Sequence, residues 1–234
     1  MVVVKAAVCY NLKKPQTVEM LPKEFNIDVV IGLLQGQVST LKVPYIEFMA
    51  VNDRAPYKVL ISCILSLRTQ DKTTAQASER LFALAGTPEA MCRLSVEEIE
   101  RAVYPVGFYR VKAANIKAIS QRLLDDYGGV VPDTIEELLK FKGVGRKTAN
   151  LVVTVGYDRD GICVDTHVHR ITNRWGYVRT KTPEQTEFAL REILPLRHWR
   201  GINGLLVCFG QGICRPVSPL CTRCSISQYC GFRL

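Results

Sequence analysis

A lysine, an aspartate and four closely spaced cysteines are the residues of this 234-residue chain whose types and positions could do chemistry. Lys147 stands just beyond a glycine turn in GVGRKTAN, where Gly143 and Gly145 flank Val144. Lacking Cβ atoms, the glycines let the backbone turn sharply and approach another molecule closely. The first amides of the helix that follows have no intrahelical acceptor and lie at the positive end of its dipole, so a phosphate suits them. A lysine in that first turn, beside Arg146, feels charges that disfavour its ammonium form, and a pKa drawn down from about 10.4 would yield an amine nucleophile. The plainer alternative is a surface lysine that touches phosphate. Asp165 precedes THVHRITNRWG, whose Val168, Ile171 and Trp175 share a helix face, so its geometric role is an N-cap. His167 and His169 stand at i and i+2 and face different directions, which argues against a shared metal site.

Cys214, Cys221, Cys224 and Cys230 follow the pattern C-x6-C-x2-C-x5-C, dense enough for one compact metal site. Four thiolates suit zinc or an iron-sulfur cluster, and spacing alone leaves both open. The flanking Arg215 and Arg223 could contact phosphate. Cys9, Cys63, Cys92, Cys163 and Cys208 lie mostly in apolar contexts and read as core. With no apolar run near the ~20 residues of a membrane span, and an N-terminal MVVVKAAVCY too short for a signal peptide, an intracellular protein is expected, with thiols rather than disulfides.

The elements that must position these groups read as helices. Thr134 with Glu137 forms a capping-box pattern before the turn, and Arg146 to Gly156 reads as an apolar helix after it: helix, hairpin, helix. YKVLISCILSL, Tyr57 to Leu67, is apolar nearly all round, as a buried central helix should be. It runs into SLRTQDKTT, where Arg68, Thr69, Gln70 and Asp71 read by themselves as a solvated helix end. Helix starts are marked at Thr87 with Pro88, Ser95 with Glu98, and Thr182 with Pro183 and Gln185. After Gly107 comes an aromatic and basic tip, Phe108, Tyr109 and Arg110, that could stack on a base, although Phe108 taken alone reads as a core residue. Lys23 to Gln35 suits a packed helix, and Val2 to Tyr10 a short strand or an arm. Against 22 acidic side chains there are 31 Lys and Arg, and the net charge of +9 favours an anionic partner without saying which.

Together GVGRKTAN, VDTHVHR, NGLLVCFGQ and the four-cysteine tail resemble the endonuclease III family of helix-hairpin-helix DNA glycosylases, over about Tyr57 to Cys230. The resemblance implies an all-α fold. A six-helix barrel would span about 51–159, and a second helical domain would combine 1–50 with 160–234 and carry a 4Fe-4S cluster loop at 214–230. It implies Lys147 as the nucleophile, Asp165 as the essential carboxylate, and iron-sulfur for Cys214, Cys221, Cys224 and Cys230. The implied partner is double-stranded DNA containing damaged bases or abasic sites, bound by a monomer that is cytoplasmic and nucleoid-associated if the source is prokaryotic. DNA contacts would come from Arg68, Gln70, Phe108, Gly143, Val144, Gly145, Arg146, Thr148, His167 and Arg215.

The expected activity is a bifunctional glycosylase and AP lyase that excises oxidised pyrimidines and cuts the strand by β-elimination through a lysine Schiff base. Where many members carry glutamine after the buried helix this chain has Arg68, and Phe108 matches a companion wedge. Arginine only donates hydrogen bonds, so an orphan guanine, with O6 and N7 as acceptors, is the expected opposite base. Gln70 could fill the gap instead, though two residues along a helix it would point elsewhere. An adenine glycosylase is disfavoured, because YKVLISCILSL lacks a glutamate. A thymine or uracil mismatch glycosylase acting opposite G is the alternative, and a non-catalytic DNA-binding or redox module is the third.

Overall fold

The computed structural model describes residues 25–39, 41 and 53–232. The arm expected at Val2 to Tyr10, the start of the segment at Lys23, and Cys9 lie outside them. Among the described residues every regular element is helical, in keeping with the all-α expectation. The helices surround two hydrophobic cores.

Helix α1 (Ile27–Val38) belongs to the second core and is taken up below. The first core is built around α2 (Pro56–Ser66), whose residues from Val59 to Leu65 are all buried. A helix apolar on every side has to be central. Around it lie α3 (Asp71–Leu84), α4 (Pro88–Arg93), α5 (Val96–Val103), α6 (Tyr109–Tyr127), α7 (Ile135–Leu138) and α8 (Arg146–Leu151). Local chemistry starts them where the sequence indicates. Thr87 Oγ1 accepts from Ala90 N at the start of α4. At α5, Ser95 Oγ accepts from Glu98 N at 3.1 Å while Glu98 Oε2 accepts from Ser95 N at 2.7 Å, a complete capping box.

Two expectations change in form. Thr134 Oγ1 accepts from Glu137 N, but the Glu137 carboxylate bonds to Tyr127 and Lys140 instead of returning to Thr134, so only half the box forms. Helix α8 does reach Gly156, but as a wider π-helical turn over Val152–Gly156. The Thr154 hydroxyl donates to Asn150 O there at 2.8 Å, an insertion of the kind that accompanies irregular helix.

The second core joins α1 to α9 (Thr166–Trp175), α10 (Pro183–Ile193) and α11 (Ile202–Gly212), around the fully buried Leu34, Trp175 and Phe209. Gln37, near the end of α1, donates to Arg223 O and accepts from Ser225 N and Oγ, tying the N-terminal helix to the cysteine loop. Between the cores runs an extended segment: Ile162 and Val164 enter the second core and Cys163 the first. That alternation is the two-residue period of extended chain.

A buried carboxylate crosses the same seam. Glu187 of α10, 2% exposed, accepts from Arg146 Nε and Nη2 at 2.8 and 2.6 Å and from Arg191 Nε and Nη2 at 3.1 and 3.0 Å. Arg191 also donates to Asn150 Oδ1 of α8 at 3.0 Å. Burial alone would push the Glu187 carboxyl up, yet the bonds and charge led by Arg146 hold it below the usual carboxylate range. Its stabilising effect is therefore present at neutral pH and lost as pH falls through the folded pKa. Glu187→Ala leaves two half-buried guanidinium groups facing each other, and a loss of about 3–5 kcal/mol is expected in urea unfolding at pH 7. A loss below about 1 kcal/mol would mean the cluster behaves as a solvated surface pair.

Candidate active site and cysteine loop

Where the two cores meet, the surface opens into a cavity of about 750 Å³. Helix α8 and the α2–α3 turn supply Lys147, Arg146, Gln70 and Thr69 on one wall, and the second half supplies Asp165, His167, Glu187, Asn203 and Gln211 on the other. Lys147 and Asp165, 18 residues apart in the chain and rooted in different cores, thus line one open cavity.

Each wall has a local cause. The hairpin before α8 is anchored by Phe141 and Val144, 2% and 7% exposed, while Gly143 takes φ +83°, which favours glycine. Lys147, in the first turn of α8, is half-buried. Asp165 caps α9: its Oδ1 accepts from His167 N at 2.8 Å and Val168 N at 2.9 Å. Both cap bonds fall on that one oxygen, which leaves Oδ2 outside the cap.

His167 lies against Arg170, with Nδ1 3.2 Å from Nη2. Burial lowers its pKa, opposed by the charge of Asp165 and helped by those of Arg170 and Lys147, and Nδ1 accepts from the guanidinium, which can only donate. Helix α11 comes so close that a Cβ on Gly210 would stand 2.3 Å from His167 Nδ1. His169 turns away, its Nδ1 2.7 Å from Thr186 Oγ1, so the two histidines diverge as their spacing suggests.

Several expected DNA contacts are placed differently. Thr148 is 2% exposed and its side chain packs inward, because α8 turns that face to the first core. Arg146 is committed to Glu187 and stacked on Phe188, its Cζ 4.7 Å from the ring centroid, and so is not a free cation of the hairpin. Phe108, read from sequence alone as core, is 63% exposed. It takes φ +58°, and the Arg68 guanidinium lies 5.6 Å from its ring centroid. Residues 67–70 form a turn instead of a helix end, with Arg68 at φ +53°. Gln70, expected to point elsewhere, begins α3 and lines the cavity, while Arg68 stands beside Phe108 outside it. Glu187, Asn150 and Gly210 were not legible as site residues. Their partners come from other helices, and only the i,i+4 pairing of Glu187 with Arg191 carries a local signal.

The four tail cysteines line a second cavity of about 160 Å³, walled by Trp175, Phe209, Ile213, Leu220 and Ile226. None is disulfide-bonded. Burial raises the thiols of Cys224 and Cys230, while Arg174 Nη1 stands 3.3 Å from Cys214 Sγ and also holds Arg215 O at 2.7 Å. Such a site favours thiolates only when a cationic centre offsets their burial. Four thiols facing one small apolar-walled space are a donor set that fits an iron-sulfur cluster. Among the described residues no three His, Cys, Asp or Glu side chains converge as ligands of a single metal ion. Of the remaining cysteines, Cys63, Cys163 and Cys208 are buried and Cys92 half-buried; Arg215 and Arg223 are exposed.

Known proteins share this arrangement. The model of the HhH-GPD superfamily base excision DNA repair protein matches residues 61–196. Endonuclease III of Thermotoga maritima is 49% identical over 76% of this chain and 83% of its own length. The chloroplastic endonuclease III homolog 2 of Arabidopsis thaliana is 46% identical over 79% of this chain, which spans about half of that longer protein (50%). A solved structure of a trapped endonuclease III–DNA covalent intermediate aligns with a TM-score of 0.77 at 32% identity, over 87% of this chain and 93% of that one. The chain belongs to the HhH-GPD superfamily of base excision DNA repair proteins and, within it, to the endonuclease III family.

Proposed function

We propose that this base excision repair glycosylase and AP lyase, acting as a monomer on double-stranded DNA, removes oxidised pyrimidines and cleaves the strand at the resulting abasic sites. The observation that carries the residue roles is the shared cavity: Lys147 and Asp165 line it from opposite halves. The damaged nucleotide must leave the stack, since C1′ of its sugar is inaccessible within the duplex. Lys147, as the free amine, attacks C1′ while the base departs with the glycosidic electron pair. The Asp165 carboxylate stabilises positive charge developing on the sugar and takes up the lysine's proton. Ring opening gives a Schiff base between Lys147 Nζ and C1′. Its iminium withdraws electrons, the 2′ proton is lost, and β-elimination expels the 3′ phosphate. Phe108 and Arg68 fill the gap left in the duplex, and the hairpin amides at Gly143 and Gly145 hold backbone phosphate.

A donor-only guanidinium in that gap favours an orphan guanine, which also keeps a T·G or U·G mismatch glycosylase as the second reading. A nicking panel separates them. Thymine glycol duplexes are expected to be cut at least about tenfold faster than T·G or U·G duplexes, and faster opposite G than opposite A, with Arg68→Gln removing that bias. Faster processing of T·G would replace the oxidised-pyrimidine reading. Equal rates opposite G and A, unchanged in Arg68→Gln, would remove the arginine from the account.

Members of the family generally carry a 4Fe-4S cluster. In this chain Cys214, Cys221, Cys224 and Cys230 would hold it, and it would supply thiolate–iron bonds that tie the 214–230 loop together. A single zinc held tetrahedrally by the same four thiolates is the competing metal. Protein purified under anaerobic conditions is expected to contain iron and acid-labile sulfide in equal amounts and to lose both in Cys221→Ala. Stoichiometric zinc without sulfide would contradict this.

A further inference from the structure

Lys112 lies in the second turn of α6, 6% exposed. Its Nζ donates to Leu65 O at 2.8 Å, Leu67 O at 2.5 Å and Thr69 Oγ1 at 3.1 Å, so the three N–H bonds of an ammonium meet three neutral oxygens. Burying an ammonium among neutral groups is costly, and here burial draws its pKa down to about 8. The place it occupies is specific. Leu65 and Leu67 are at the end of α2, where carbonyls lack helical donors. Arg68 falls between two of the bonded residues and has left-handed backbone.

Phe108 is the other left-handed residue nearby, and the Lys112 backbone N donates to its carbonyl at 3.0 Å. The two turns also touch directly. Thr69 Oγ1 accepts from Gly107 N at 3.2 Å, and a Cβ on Gly107 would come within 2.7 Å of Arg68 O. Positive φ at non-glycine residues persists only where the surroundings over-determine it. Thr69 N donates to Ser66 O and Gly107 N to Thr69 Oγ1, but Lys112 is the group that reaches both: the first helical bond of α6 runs from its backbone to Phe108, and its side chain brackets Arg68 through Leu67 and Thr69.

We propose that Lys112 is a positioning residue for opening the duplex, its ammonium fixing the Arg68 turn against the Phe108 turn so that both side chains enter the stack as one unit. The inference rests on the wedge role given to Phe108 and Arg68 above. It assigns Lys112 no contact with substrate and no part in chemistry at C1′. Lys112→Met keeps the apolar stem and removes all three donors, so the wedge loses its set geometry, while Lys147 and Asp165, which Lys112 does not bond, keep their places in the cavity.

The test compares two substrates that differ in whether a stack has to be emptied: a thymine glycol duplex, and a single-stranded oligonucleotide carrying an abasic site. For Lys112→Met, kcat/KM on the duplex is expected to fall about tenfold or more, while cleavage of the single-stranded abasic site stays within about twofold of wild type. Equal losses on both substrates, or no loss on either, would overturn the proposal. Should Lys112→Met fail to fold, Lys112→Gln, which keeps a polar head but cannot supply three donors, must give the same duplex-selective loss in smaller measure. Phe108→Ala on the duplex distinguishes the two levels of the argument. If it cleaves like wild type, the wedge reading falls and takes this proposal with it; if it is impaired while Lys112→Met is not, the role of Lys112 alone is refuted.

Discussion

The Glu187 carboxylate, buried between Arg146 and Arg191, is the interaction on which the working geometry depends. Lys147 follows Arg146 directly in sequence, so the bond from Arg146 to Glu187 ties the first turn of α8, and with it the lysine, to α10 of the other half. The extended run Ile162 to Val164, alternating between the two cores, sets Asp165 at the start of α9 on the far wall. One charged cluster and one stretch of extended chain thereby fix the width of the cavity. Exposed ion pairs such as Arg122–Asp126 contribute little by comparison, since solvent screens both partners.

Two tasks are separated in space. The cavity between the halves holds the lysine and aspartate, whereas the exposed pair Arg68 and Phe108 sits on two left-handed turns packed back to back. Each location has its own buried charge: Glu187 at the seam and Lys112 beneath the turns. Both are satisfied by several partners, as a buried ionic group must be if its desolvation is to be offset. The cysteine loop is held from both directions as well, by Gln37 of α1 and by Arg174 of α9.

What was legible in the sequence follows from how local its cause is. The helix starts at Thr87, Ser95 and Thr182 came through because a cap bond spans three residues. The burial of Tyr57 and of Val59 to Leu65 is legible because an apolar surface on nearly every side leaves a helix one place to go. The proximity of Lys147 to Asp165 came from resemblance rather than spacing, and the four cysteines from spacing with the metal left open. Phe108 taken alone reads as core, and only the family resemblance makes it a wedge, because its exposure goes with Gly107 lying against the Arg68 carbonyl, a contact nearly forty residues distant in the chain that no local pattern announces. The pairing of Arg146 is hidden for the same reason. Its partner Glu187 lies on another helix, and a basic residue beside a glycine turn looks like a phosphate contact until that carboxylate is seen. Thr148 shows the limit of a motif, since membership of GVGRKTAN does not say which way a side chain faces.

The bond from Lys147 Nζ to the sugar, formed across the cavity from Asp165, is the step on which the proposed chemistry turns. Its most direct test is borohydride reduction of the enzyme on an oxidised-pyrimidine duplex, followed by proteolysis and mass spectrometry of the trapped adduct. The deoxyribose remnant is expected on the peptide containing Lys147, at the Nζ of that residue. A remnant carried by any other lysine, or by the N-terminal amine, would contradict it.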